Sequence, residues 1–131
     1  MRRLIIFVLV LICANVAHAA VETFTGVGKY YLESDDETLA YAKEQAELIA
    51  ERNALEQAAV FVKSYTGIHN FKLSDDDVVE IAAGILYVKD VRFSLDEEFD
   101  GVLTVTAMVT AEIDTDEISE LIERERRRLA A

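Results

Sequence analysis

From position 91 to 111, apolar residues fall on odd positions and mostly polar ones on even positions. Val91, Phe93 and Leu95 alternate with Asp90, Arg92 and Ser94, and Leu103, Val105, Ala107, Val109 and Ala111 alternate with Thr104, Thr106, Met108 and Thr110. A period of two belongs to a strand with one buried face, so the pattern predicts strands over about 85–97 and 102–113. A two-residue Asp-Gly loop between them would pair odd with even positions and send the two apolar sets to opposite faces. The loop must therefore have odd length. Phe99-Asp100-Gly101, with Gly101 left-handed as a bulge, pairs Leu95 with Val105, Phe93 with Ala107 and Val91 with Val109. One hairpin face is then core, and the other is wet and rich in threonine.

Upstream, residues 21–32 (VETFTGVGKYYL) mix β-branched and aromatic residues with two glycines and predict a first strand. Ser34-Asp35-Asp36-Glu37 has capping-box spacing. A helical pattern then runs unbroken to about Tyr65, with Gly67 placed to close it. At about 30 residues this helix would be ~45 Å long. Ser74, followed by Asp75-Asp76-Asp77, opens a short helix ending near Gly84, and a last helix begins after Asp114-Thr115. The order is β-α-α-β-β-α. The fold class is α+β, an antiparallel sheet of about three strands with the long helix packed on one face.

The long helix has two stripes. Ala42, Ala46, Ile49, Ala50 and Ala54 lie on one side, mostly small enough to bring the helix backbone close to a sheet. Tyr41, Leu48, Leu55 and Val62 recur every seventh residue on the opposite side, with Ala59 beside them. Resting on one sheet requires one stripe. The second is covered by the C-terminal helix through Ile118, Leu121 and Ile122, or by a partner or second copy along the seam.

The N-terminus changes the picture. Arg2 and Arg3 precede an unbroken apolar run over 4–12, and Ala17-His18-Ala19 is a small-x-small cleavage site. Residues 1–19 therefore read as a secretory signal peptide, and 20–131 as a single domain with its C-terminal helix from about 115. At about 1.5 Å per residue the apolar run falls far short of a bilayer core. Cys13 lies within the leader behind Ile12, where a lipoprotein site requires a small residue. The expectation is a periplasmic or secreted protein without a stable membrane anchor after leader cleavage.

Removing the leader takes away two arginines and no acid, moving the net charge from −12 to −14. Such a surface repels nucleic acid and anionic lipid. The leader also holds the sole cysteine, so stability must come from packing rather than disulfides.

Reactive chemistry finds little support. His69 is the one histidine beyond the leader and sits in a loop, which leaves a serine triad and a zinc site without their parts. Gly26-x-Gly28 lacks the third glycine of a dinucleotide loop and reads as a strand bulge or a close backbone approach. Asp96-x-Glu98-x-Asp100-Gly101 imitates half of a calcium loop, but its twelfth position is Ala107 and strands flank it, so a hairpin turn explains it better. Asp75-Asp76-Asp77 fits a helix N-terminus. No catalytic residue, metal ligand set or cofactor is expected. Arg124, Arg126, Arg127 and Arg128 contrast with the acidic body and suit either a helix C-terminus or the docking of an acidic partner.

Several of these motifs together carry a resemblance. Gly26-x-Gly28 leading into Ala46-x-x-x-Ala50-x-x-x-Ala54-Leu55-x-Gln57-Ala58, then Leu73-Ser74-x-Asp76, Gly84-Ile85 and Asp100-Gly101-x-Leu103-x-Val105, resembles the N-terminal domain of the flagellar assembly protein T family. The same stretch, about 24–113, is similar to a related family of small envelope lipoproteins. The resemblance implies a non-enzymatic periplasmic α+β module used in envelope assemblies, here as one domain without the further domains of the flagellar protein. The resulting expectation is an exported structural or protein-interaction module of the bacterial cell envelope, bound to another envelope protein or to itself and not to nucleic acid. Its expected surfaces are the seam of Tyr41, Leu48, Leu55 and Val62 and the arginines at 124 and 126–128. A small-ligand or cation-binding periplasmic protein is the alternative, and a hydrolase using carboxylates a distant third.

Overall fold

The computed structural model describes residues 21–34, 36–97 and 101–130. The leader, Asp35 and residues 98–100 lie outside these bounds, and with them the cleavage site, Cys13, Glu98, Phe99 and Asp100. The described chain runs β1 (Val21–Tyr31), α1 (Leu39–Ile68), α2 (Asp75–Ile85), β2 (Tyr87–Glu97), β3 (Leu103–Asp114) and α3 (Thr115–Ala130). The fold is α+β in the expected order. The three strands form one antiparallel sheet in the order β1-β3-β2, with the last strand at its centre.

The hairpin register agrees with the parity argument: Leu95 faces Val105, Phe93 faces Ala107 and Val91 faces Val109. Gly101 adopts φ +80°, the left-handed conformation expected of it.

The long helix starts later than the capping-box spacing suggested. Ser34 forms a turn, its hydroxyl accepting from the Asp36 amide at 3.1 Å, while Thr38 is the N-cap and accepts from the Tyr41 amide at 3.1 Å. Glu37 is engaged elsewhere, accepting a 2.8 Å hydrogen bond from the Tyr30 hydroxyl. The other end also shifts. Helix α1 continues through Gly67 to Ile68, and Asn70 takes the left-handed position at φ +55°. The Phe71 amide donates to Thr66 O at 2.9 Å and the Asn70 amide to Gly67 O at 3.1 Å, the paired bonds of a Schellman closure. For α2, the Ser74 cap is as expected, with its hydroxyl accepting from the Asp77 amide at 3.2 Å.

Helix α1 runs back along β1 on a ridge of every fourth residue. Ala42, Ala46, Ala50, Ala54, Ala58, Val62 and Thr66 are its buried positions. At 3.6 residues per turn each four-residue step advances about 40° around the helix, so the ridge winds as it climbs. Its first half meets Val105, Ala107 and Val109 of the sheet, whereas Ala58 and Val62 join Val78, Ala82, Ile85, Ile118 and Ile122 under α2 and α3. The helix extends past the sheet because 30 helical residues span ~45 Å and 11 strand residues only ~37 Å.

The close approach read from Gly26-x-Gly28 is present, without a bulge in the pairing to β3. A Cβ on Gly26 would collide with the Ala50 carbonyl and lie 2.7 Å from the Ala54 nitrogen. One on Gly28 would collide with the Ala46 carbonyl and lie 2.9 Å from the Ile49 Cβ. The helix backbone thus rests directly on β1.

Candidate functional site

That seating leaves one strand uncovered. Strands lie about 4.8 Å apart and a helix with its side chains is about 10 Å across, so a helix resting on β1 and β3 covers two strands and not a third. Helix α1 packs against β1 and β3. On β3, Val105, Ala107 and Val109 are fully buried, but their partners on β2 are not. Phe93 is 38% exposed, Leu95 is 48% exposed and Val91 is half-buried. The expected core face of the hairpin is therefore core on β3 only. On the opposite face, among the described residues, Thr104 is buried at 1% exposed, and its hydroxyl has no partner among them.

The two sheet edges differ. On β1 the outward carbonyls are occupied from above: Asn53 Nδ2 donates to Val27 O at 2.6 Å and Gln57 Nε2 to Thr25 O at 2.8 Å. Among the described residues no side chain does this for β2. A register slip between Val88 and Asp90 leaves Lys89 as an extra residue, and such a bulge with a lysine blunts that end of the strand. The remaining stretch, 91–97, is regularly paired on one side and open on the other. Its even positions carry Arg92, Ser94 and Asp96, and Arg92 Nε lies 2.8 Å from Asp90 Oδ2.

Helix α1 borders this strip with charge. Lys43 places its ammonium 5.5 Å from the Phe93 ring centroid. Glu47 and Glu51 follow Ala46 and Ala50 as Lys43 follows Ala42, and so share its flank. Burial, and secondarily the neighbouring Glu47, pushes the Glu51 carboxyl up from its usual range.

The expected heptad seam is not one surface. Tyr41 is exposed and meets Tyr30 edge-on at 5.8 Å, and Leu48 is 50% exposed. Leu55, by contrast, is half-buried against the core, and Val62 lies wholly within it. A strict seven-residue repeat drifts about 20° per turn of the repeat on a straight helix, which carries Val62 about 60° round from Tyr41. Helices α2 and α3 together cover the far end of the stripe, through Val78, Ala82 and Ile85 as well as Ile118 and Ile122, and leave the near end open. The arginines separate too. Arg126 donates to the His69 carbonyl and lies 3.4 Å from Glu123, Arg128 pairs with Glu125 at 2.7 Å, and Arg124 and Arg127 line an open hollow on α3 alone.

A cleft of about 550 Å³ opens between α2 and α3. Phe71, Leu73, Ile81, Ile118 and Leu121 contribute to its apolar lining, and Asp77, Glu80, Glu125 and Arg128 carry its charge. His69 stacks on Tyr65 at 4.5 Å with Nδ1 2.8 Å from the Tyr65 carbonyl, and Asp75 pairs with Lys63 at 2.8 Å, which holds its carboxyl below the usual range. Among the described residues no group of three or more His, Cys, Asp or Glu is placed to hold a metal ion, and no helix is long and apolar enough to cross a membrane.

The chain matches no family model, no curated protein and no solved structure. What its surface does must follow from its own geometry, and the half-covered strand β2 is the feature least explained by folding alone. Sequence reasoning missed it because the alternation of Val91, Phe93 and Leu95 equals that of a core strand. The available signal was the glycine pair on β1, which fixes where the helix sits across the sheet.

Proposed function

We propose that the protein is an exported, non-enzymatic interaction module of the bacterial cell envelope and that β2 is its docking strand. The observation that carries this reading is the exposure of Phe93 and Leu95 directly beside the fully buried Ala107 and Val105. An added strand would satisfy the open backbone edge and cover those side chains together, which is how extended segments bind sheet edges. The leader-like N-terminus, the acidic composition and the resemblance to envelope modules support the setting.

Photo-crosslinking side chains test it. Placed at Phe93 or Leu95 of the full-length protein in its host, they should yield protein adducts, whereas the same group at Thr23 or Val27 on the open sheet face should not. Adducts from the open face alone would contradict the proposal.

The cleft between α2 and α3 favours a second reading as a small-ligand protein. Its volume falls within the ~300–1,000 Å³ usual for ligand sites. An apolar molecule with a cationic group would suit a lining that holds Asp77, Glu80 and Glu125. Saturable thermal stabilisation by a hydrophobic amine, abolished by Ile81→Glu, would support this reading; no shift would count against it.

A further inference from the structure

We infer that β2 docks on β2 of a second copy, antiparallel and centred on Ser94, to form a continuous six-stranded sheet; the inference rests on β2 being a docking strand. The reason lies in the side-chain sequence of 91–97. A two-fold contact presents the same strand to itself in reverse, so a strand suited to it must be self-complementary about a centre. Side chains share a face only when paired positions have the same parity, which restricts the possible centres.

Five centres fall within the strip 91–95; centring on Arg92 sets the two Arg92 side chains against each other, and centring on Leu95 sets Phe93 against Glu97. Centring on Val91 sets Lys89 of the bulge against Phe93. Centring on Phe93 aligns the apolar residues but sets Asp90 against Asp96. Centring on Ser94 sets Arg92 against Asp96 on one face, twice, and Phe93 against Leu95 on the other, twice, with the two serines meeting on the axis. The Arg92 and Asp96 charges are then opposite and Phe93 lies beside Leu95, pairings that cross-strand neighbours reward, while Val91 faces Glu97 at the two ends of the contact. This centre also lies clear of the bulge at Lys89, so the seven paired positions are those with regular strand geometry.

The contact joins the two uncovered strips. Both copies of α1 lie on the same face of the enlarged sheet, and the Phe93 and Leu95 side chains fill the floor between them. Two acidic bodies repel one another, so the contact is concentration-dependent rather than permanent.

The test uses the full chain with Cys13→Ser, so that no native thiol interferes. Light scattering across a concentration series should show a monomer–dimer equilibrium. Arg92→Asp makes both cross-strand pairs acidic and Asp96→Arg makes both basic, so each variant should dimerise at least about tenfold more weakly. An equimolar mixture of the two restores both pairs, and should recover the dimer to near the parent level. Circular dichroism establishes that each variant is folded. Ser94→Cys, a small change at an exposed position, should oxidise to a disulfide-linked dimer, whereas Thr25→Cys on β1 should not. A parent that remains monomeric throughout, or a mixture that recovers nothing, overturns self-pairing. Adducts from Phe93 to a different protein would overturn it as well while leaving the docking strand standing.

Discussion

At the residue scale, the fold depends on two glycines more than on any large side chain. Gly26 and Gly28 are where the backbone of α1 meets β1, and a methyl group at either meets backbone that cannot rotate away. Gly28→Ala should therefore cost about 1–3 kcal/mol or more in urea denaturation. Gly67→Ala and Gly84→Ala meet nothing within 4 Å on helical backbone, and should be neutral or stabilising by about 0.5–1 kcal/mol. Tyr30 offers a second residue-level check. Its hydrogen bond to Glu37, with burial and the Glu37 charge adding, pushes the phenol from 10.0 up to about 12. The folded protein thus holds this proton more tightly than the unfolded chain. The resulting stabilisation is fully present below pH 10 and is lost as pH rises from 10 to about 12. Spectrophotometric titration should show late ionisation of Tyr30, and Glu37→Gln should bring it back towards 10.0.

At the element scale, much of the fold was legible in the sequence. Alternation located β2 and β3, and the parity of their odd positions set the hairpin register, because side-chain direction admits no intermediate. Helix ends were harder. Ser34 and Gly67 have the right chemistry for caps, but Thr38 and Asn70 also do: at the first end Glu37 is taken by a tertiary contact with Tyr30, and at the other the local closure forms at Asn70 and leaves Gly67 inside the helix. The lateral position of α1 on the sheet was hardest, since a pattern of faces says which side is covered and not how far the cover reaches. The difference in cover has an energetic consequence. Ile113→Ala on β3 should cost about 2–5 kcal/mol, as expected of a fully buried isoleucine, whereas Leu95→Ala on β2, measured at high dilution, should cost less than about 1 kcal/mol. Equal losses at the two sites would mean that β2 is as well covered as β3.

At the scale of the whole molecule, a single helix spans two strands of a three-stranded sheet, guards one edge and leaves the other open. Asn53 and Gln57 occupy the β1 edge, while β2 presents unpaired backbone beside Phe93 and Leu95. An edge of that kind invites pairing unless it is blunted, and among the described residues of β2 the bulge lies at the Lys89 end. Two copies joined at β2 would have no half-covered strand, with both remaining edges guarded by α1. Hydrogen exchange read by mass spectrometry, on dilute and concentrated samples of the full chain, tests this most directly. Amides within 91–97 should exchange readily when dilute and gain protection on association, while those of 21–31 should not change. Protection gained instead on α3 or along the exposed part of α1, with 91–97 unaffected, would contradict it.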